Sequence, residues 1–209
     1  MRRWFLAVGS VVLYNSWLAW PLNGRPDALL GYVSELAADD QPFAWFFRAA
    51  DIAAAVVFAI TGLLGRRGWQ AWLGARWSRR LGLSLLVVAV GTALDIIFNL
   101  PCAESWDDAC AAMPSIERHL HEAASAITST AEVAMIAIVA LALAARDGWT
   151  LRARQAAWLA GLVTVLLLIS AAAPYALPGA QGPIQVVQIL LCSLWIAYLA
   201  WRLPQEQHD

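Results

Sequence analysis

Six apolar stretches of membrane-crossing length divide this chain, at about residues 4–20, 44–64, 81–100, 119–144, 157–173 and 183–201. A hydrocarbon core of ~30 Å takes a helix of ~20 residues to cross. Inside it every backbone N–H and C=O must bond within the protein, and stretches of this length satisfy that as helices. The fifth stretch is the shortest, and Ala171 to Leu177 can extend it. The chain is 61% hydrophobic and 14% charged, against about 45–50% and about 25% in soluble domains, an apolar excess too large for one buried core. The sequence therefore predicts an all-α integral membrane protein, one six-helix transmembrane bundle over residues 1–209. A disordered chain, a nucleic-acid binder running on a basic patch and a disulfide-dense secreted module are excluded. The longest connection, Pro21 to Phe43, has 23 residues. No separate catalytic domain fits, so any chemistry belongs inside the bundle or at its rim.

Arginine sets the expected orientation. Arg2, Arg3, Arg66, Arg67, Arg76, Arg79, Arg80, Arg146, Arg152, Arg154 and Arg202, eleven of the 14 basic residues, fall on one side of the six spans. The positive-inside rule assigns that side to the cytoplasm. Asp27, Glu35, Asp39, Asp40, Glu104, Asp107, Asp108 and Glu117 face Arg25 and Arg118 on the other. Both termini are thus expected in the cytoplasm, beneath an acidic outer face. Arg2-Arg3-Trp4-Phe5-Leu6 is similar to a twin-arginine export signal. However, Tyr14, Asn15 and Ser16 interrupt the apolar run, and no small-x-small cleavage site follows. An uncleaved first helix is expected.

Of the 12 Trp, Trp4, Trp69, Trp72, Trp77, Trp149, Trp158 and Trp201 lie at the inner span boundary. Trp17, Trp20, Trp45 and Trp106 lie at the outer one, and only Trp195 sits well inside a span. This distribution matches interfacial belts better than a set of indole faces gathered around a cationic intermediate.

Ionisable groups inside a span cost ~2.5–3.5 kcal/mol at the helix centre and mark candidate functional positions. Asp51 lies about two turns into the second span, with Arg48 three residues before it on the same face. The two either neutralise each other or line a site. Asp95 lies near the outer end of the third span with Thr92 and Asn99 on its face, as a clasp between helices or as a site residue. In the fourth span His121, Ser125, Thr128 and Glu132 follow spacings of 4, 3 and 4 and form one polar stripe. His119 points away from His121 and reads as an outer-interface residue. Gln185 and Gln188 give the sixth span a polar face at the same depth, and Asn15 adds the first. Polar groups at one height on five helices can converge only in the bundle interior. A polar cavity opening toward the outer face is expected, with a purely structural network as its alternative.

Cys102 and Cys110 lie in one outer loop, on the oxidising side by this topology, and are expected to form a disulfide. Cys192 reads as an apolar filler.

The chain resembles the multi-span bacterial and archaeal proteins grouped as domain of unknown function number 998. The resemblance rests on Tyr32-Val33-Ser34-Glu35-Leu36, Asp40-Gln41-Pro42 and Phe47-Arg48 with Asp51. It continues with Asp95 ahead of Pro101-Cys102, then Cys110, and His121 followed by Ser125. These pieces run in order over about residues 30–130, while the last two helices carry only hydrophobic similarity. The resemblance implies a six-helix plasma-membrane protein, and implies that the Ser34-Glu35 loop belongs with the polar cluster. It brings no activity. A looser similarity is to the alkaline ceramidase and adiponectin receptor superfamily, which hydrolyses lipid amides at an intramembrane zinc. Asp95, His121 and Ser125 are the matching residue types, but that superfamily's late His pair is absent. After His121 no His occurs until His208.

Two function classes follow. One is a membrane enzyme or lipid-binding protein whose outer-leaflet pocket carries Glu35, Asp51, Asp95 and His121, with His121 or Asp95 as general base. Arg48 would meet an anionic head group or orient Asp51, and Ser34, Asn99, Ser125, Gln185 and Gln188 would complete the binding set. Its partners are membrane lipids and a lipid or small-amphiphile ligand, with no nucleic acid. A metal would need at least three of these groups, and the sequence assigns no cofactor. The other class is a non-catalytic module, a small transporter, sensor or assembly partner, whose polar residues lock the helices. No span carries the mid-helix Gly or Pro break expected of a discontinuous binding helix, which weighs against transport.

Overall fold

All six expected spans fold as helices long and apolar enough to cross a membrane. The structure, a computed structural model, describes residues 2–204, and helices with their connections account for all of them, without strands. The helices are α1 (Arg2–Tyr14), α2 (Ala44–Gly68), α3 (Ala75–Ile97), α4 (Ile116–Asp147), α5 (Leu151–Ala176) and α6 (Gln181–Trp201). Several run past the apolar stretch by a turn or more, and in two of them a side-chain cap sets the start. Thr150 accepts the Ala153 N–H ahead of α5, and Ser115 accepts the Arg118 N–H ahead of α4. Arg152 and Arg154 accordingly stand on α5 rather than in a loop, and Arg76, Arg79 and Arg80 stand on α3, which starts after Gly74 without a side-chain cap.

Each helix packs on its neighbour in sequence, and α6 closes back onto α1. The bundle is therefore a ring with an interior, and that topology is what lets polar groups on five helices meet. The α2–α3 crossing is close because Gly62 and Gly82 face each other. A Cβ on Gly62 would lie 2.9 Å from the Gly82 carbonyl oxygen, and one on Gly82 would lie 2.8 Å from that of Gly62. The interior of the arginine-rich half is apolar and filled by Phe58, Leu81, Leu85, Met135, Ile136 and Leu199. Phe5, Leu83, Trp158 and Leu168 face outward, Trp158 at 80% exposure. This apolar exterior suits lipid, whereas a soluble surface rarely exposes so much.

The arginine-rich end carries the expected aromatic belt. Arg3 lies over Trp201, Arg80 over Trp77 and Arg202 over Trp72, at 4.1, 5.0 and 4.4 Å from the ring centres. Trp69 departs from it. It is fully buried and donates its indole N–H to the Leu199 carbonyl at 3.1 Å, with Gly65 leaving room for the ring. The tight turn after α2 folds the indole inward, so a boundary position in sequence becomes a core position in space.

The first span is discontinuous, contrary to the expectation of unbroken helices. α1 stops at Tyr14 and a 3-10 helix continues over Ser16–Asn23. The cause is Asn15 rather than Gly or Pro. Its amide donates to the Val11 carbonyl at 2.7 Å and to Ser193 Oγ at 2.8 Å, its Oδ1 accepts from the Trp17 indole, and its backbone leaves the helical region.

Candidate functional site

The polar residues meet in a cavity of about 90 Å³ inside the half of the ring opposite the arginine-rich end. That volume is room for a few waters or one small polar group. Asp51 of α2, Asp95 and Asn99 of α3, His121 and Ser125 of α4, and Gln185 and Gln188 of α6 all line it. Tyr14 and Ser16 contribute from the two sides of the break in the first span, while α5 contributes nothing. Val33, Ser34 and Ala37 border it from the loop between the first two spans, which makes that loop a lid.

Two expected site residues lie outside the cavity and hold the lid instead. Arg48 gives its guanidinium to the Ala37 carbonyl at 2.9 and 2.8 Å and pairs with Asp39. Neither Asp51 nor an open surface receives it. Glu35 is 2% exposed and accepts from Ser105 Oγ at 2.7 Å and from the backbone N–H groups of Ser105 and Tyr32. Its neighbour Ser34 faces the cavity, so the two residues of that motif divide between lining and anchoring. Asn99 joins the same network through the Ala37 carbonyl at 2.9 Å, and Gln185 accepts the Val33 N–H at 2.6 Å. Asn15 also stays out of the cavity, in the hydrogen bonds that break the first span.

Cys102 and Cys110 form the expected disulfide. The loop it closes presents Ala103 N–H to Asp40 and Ser105 to Glu35, so the cross-link backs the lid. Arg118, buried at the start of α4, fixes the far side of this loop. It donates to the carbonyls of Cys110, Ala111 and Met113 and pairs with Glu104. Burial of Glu35 pushes its carboxyl above the ordinary range, against the lowering effect of its hydrogen bonds from Ser105 and Tyr32.

Hydrogen bonding inside the cavity determines which atoms remain free. His121 Nδ1 lies 3.0 Å from the Asp95 carbonyl oxygen and 3.1 Å from that of Phe98. Carbonyl oxygens only accept, so Nδ1 carries the proton and neutral His121 keeps a lone pair on Nε2. Among the described residues Nε2 has no partner, and neither do Thr92 Oγ1 and Asn99 Oδ1. Ser125 donates to Asp95 Oδ1 at 2.9 Å, and Tyr14 donates to Glu132 Oε1 at 2.8 Å. No hydrogen bond or ion pair reaches Asp51 among the described residues. Three buried side-chain polar atoms without a partner in the protein thus gather on this wall, beside the Asp51 carboxyl.

Among the described residues no three His, Cys, Asp or Glu side chains come together closely enough to hold a metal ion. His121 is also the only His on the cavity wall, and His208 lies outside the described residues. The Ser125 hydroxyl is turned to Asp95 and the His121 Nδ1–H to backbone, so Ser125 and His121 do not pair with each other. His119 is exposed beside Glu122 at 3.3 Å and is remote in role from the site.

Tyr14, Thr92 and Glu132 are cavity residues that sequence reasoning left out of the site. Glu132 sits on the same stripe as His121, four, three and four residues along, and the stripe was the signal for it. Tyr14 carried none, because a phenol near a span end ordinarily reads as an interfacial anchor.

Comparison with curated proteins and with solved structures finds no match for the chain. A family model does match, over residues 5–202 and so over all six spans and the cavity. The protein is therefore a polytopic membrane protein belonging to the family described as protein of unknown function, DUF998.

Proposed function

We propose that this protein lies in the plasma membrane of a bacterium or archaeon with both termini in the cytoplasm. Its cavity then opens toward the extracytoplasmic face and receives the polar head of an outer-leaflet lipid or small amphiphile. The arginine-rich end supports the orientation through the positive-inside rule, as does the disulfide at the other end, which belongs on an oxidising side. The observation that carries the binding role is the partnerless Asp51 carboxylate in the same cavity as the free Nε2 of His121. That Nε2 lone pair is also the group available as general base to a bound head group, with hydrolysis or head-group transfer as the reaction class. Ser125 serves this reading as a support for Asp95 rather than as a nucleophile. Mass spectrometry of lipids and metals retained by detergent-purified protein tests it. A defined lipid carried by wild type and lost from Asp95→Asn and His121→Ala supports the reading. Identical retention in all three proteins refutes it.

A second reading, a small proton-coupled transporter, is favoured by one observation. The first span breaks at Asn15, and Tyr14 and Ser16 on either side of the break line the cavity. Discontinuous helices of this kind border substrate sites in transporters. Transport predicts ligand-dependent proton movement into proteoliposomes, and head-group binding predicts none.

A further inference from the structure

The chemistry of the cavity wall selects among head groups. No Arg or Lys lines it, and the one cation nearby in sequence, Arg48, is committed to Asp39 and the Ala37 carbonyl. The wall instead presents the carboxyls of Asp51, Asp95 and Glu132, each on a different helix or turn of the ring. The buried neighbours of these carboxyls add further atoms free to accept, the Thr92 hydroxyl being able to donate as well. His121 is 5% exposed with a partnerless Nε2, and Thr92 is 4% exposed with a partnerless Oγ1. Asn99 has spent its amide N–H groups on the Ala37 and Leu100 carbonyls, which leaves its Oδ1 as a further acceptor. An anionic head such as a phosphate monoester would find no guanidinium or ammonium here to answer its charge.

From this geometry we infer that the cavity takes a primary ammonium group, the amine end of a small amphiphile or an amino head group. This rests on the head-group reading above and adds the class of the ligand. The ammonium's three N–H donors answer the acceptors spread around the wall, the Asp51 carboxyl and the His121 Nε2 first among them. The spread of the carboxyls disfavours a bare metal cation, which needs its ligands converging on one point. Phe47 and Tyr14 on the wall supply aromatic surface, which suits a cation better than an anion.

The test is thermal unfolding of the full-length protein in detergent, titrated with ethylammonium chloride, ethylene glycol or sodium phosphate at matched ionic strength. A ligand that binds only the folded form raises the melting temperature with its concentration. The inference expects a saturable rise with ethylammonium alone, and an apparent affinity at least about tenfold weaker in Asp51→Asn and Asp95→Asn. A variant-sensitive rise with ethylene glycol or phosphate in place of ethylammonium would overturn the ammonium assignment while leaving the cavity a binding site. No rise with any probe, or a rise with ethylammonium unchanged in both variants, would overturn the assignment; lipid retention by wild type then decides separately whether the head-group reading stands.

Discussion

The imidazole Nδ1 of His121 lies 3.0 Å from the backbone carbonyl oxygen of Asp95 and 3.8 Å from its carboxylate Oδ1. One ring thereby closes the last turn of α3, whose terminal carbonyls have no partner within the helix, and holds α4 in register with it. The carboxylate of Asp95 meanwhile takes its proton donor from Ser125, one turn further along α4. Structure and site chemistry share these residues, so substitutions here need stability and binding to be read separately.

His121→Ala leaves the carbonyls of Asp95 and Phe98 without their donor in a buried setting. A loss of about 1–3 kcal/mol is expected, read as a lower midpoint in denaturant unfolding in detergent. A midpoint unchanged from wild type would show that the ring does not fasten α3 to α4.

Ser125→Ala removes the hydroxyl donor from Asp95 and is expected to cost about 0.5–1.5 kcal/mol. Paired with Asp95→Asn in a double-mutant cycle, the two effects should fall short of additivity by at least about 0.5 kcal/mol. Additive losses would mean the hydrogen bond carries no coupling.

Loss of the disulfide through Cys102→Ser with Cys110→Ser should cost about 2–3 kcal/mol, by the chain-entropy account of a short closed loop. Hydrogen exchange should quicken at residues 33–40 as well as within the loop itself, because Glu35 and Asp40 are anchored on Ser105 and Ala103. Faster exchange confined to residues 102–110 would show that the lid stands without this backing.

Glu35 gives the lid a pH dependence whose sign follows from its environment. Burial raises its carboxyl pKa in the folded protein, so the folded state holds the proton more tightly than the unfolded one. Stability from this group is complete below the ordinary carboxyl range and declines as pH rises through the raised value. Exchange protection of the lid, corrected for intrinsic rates, should therefore fall as pH is raised from acid toward neutral, and Glu35→Gln should flatten that slope. A wild-type slope of the opposite sign would contradict the assignment.

Much of the site could be read along the chain because charge inside an apolar run is conspicuous. Asp51 and Asp95 stand out for that reason, and the 4-3-4 spacing from His121 to Glu132 puts one face of α4 on the cavity wall whatever its neighbours do. The fate of Arg48 was not legible. Its partner Asp39 lies in a loop whose path depends on Asn99, on Gln185 and on the disulfide-closed loop. Helical proximity to Asp51 was the only relation visible in sequence. The break at Asn15 was missed because it rests on a hydrogen bond to Ser193 in the sixth helix, a contact 178 residues away. Trp69 shows the same limit, since only the turn geometry after α2 decides between lipid boundary and core.

Asp51 provides the most direct test of the cavity as a ligand site, because it lines the wall yet holds nothing in the protein. The measurement is the melting temperature and the co-purified small molecules of Asp51→Asn beside wild type. A bound species lost from a variant that melts no lower than wild type stripped of that species is the predicted result. A variant that retains every bound species, or that unfolds because Asp51 was fastening the helices, would contradict it.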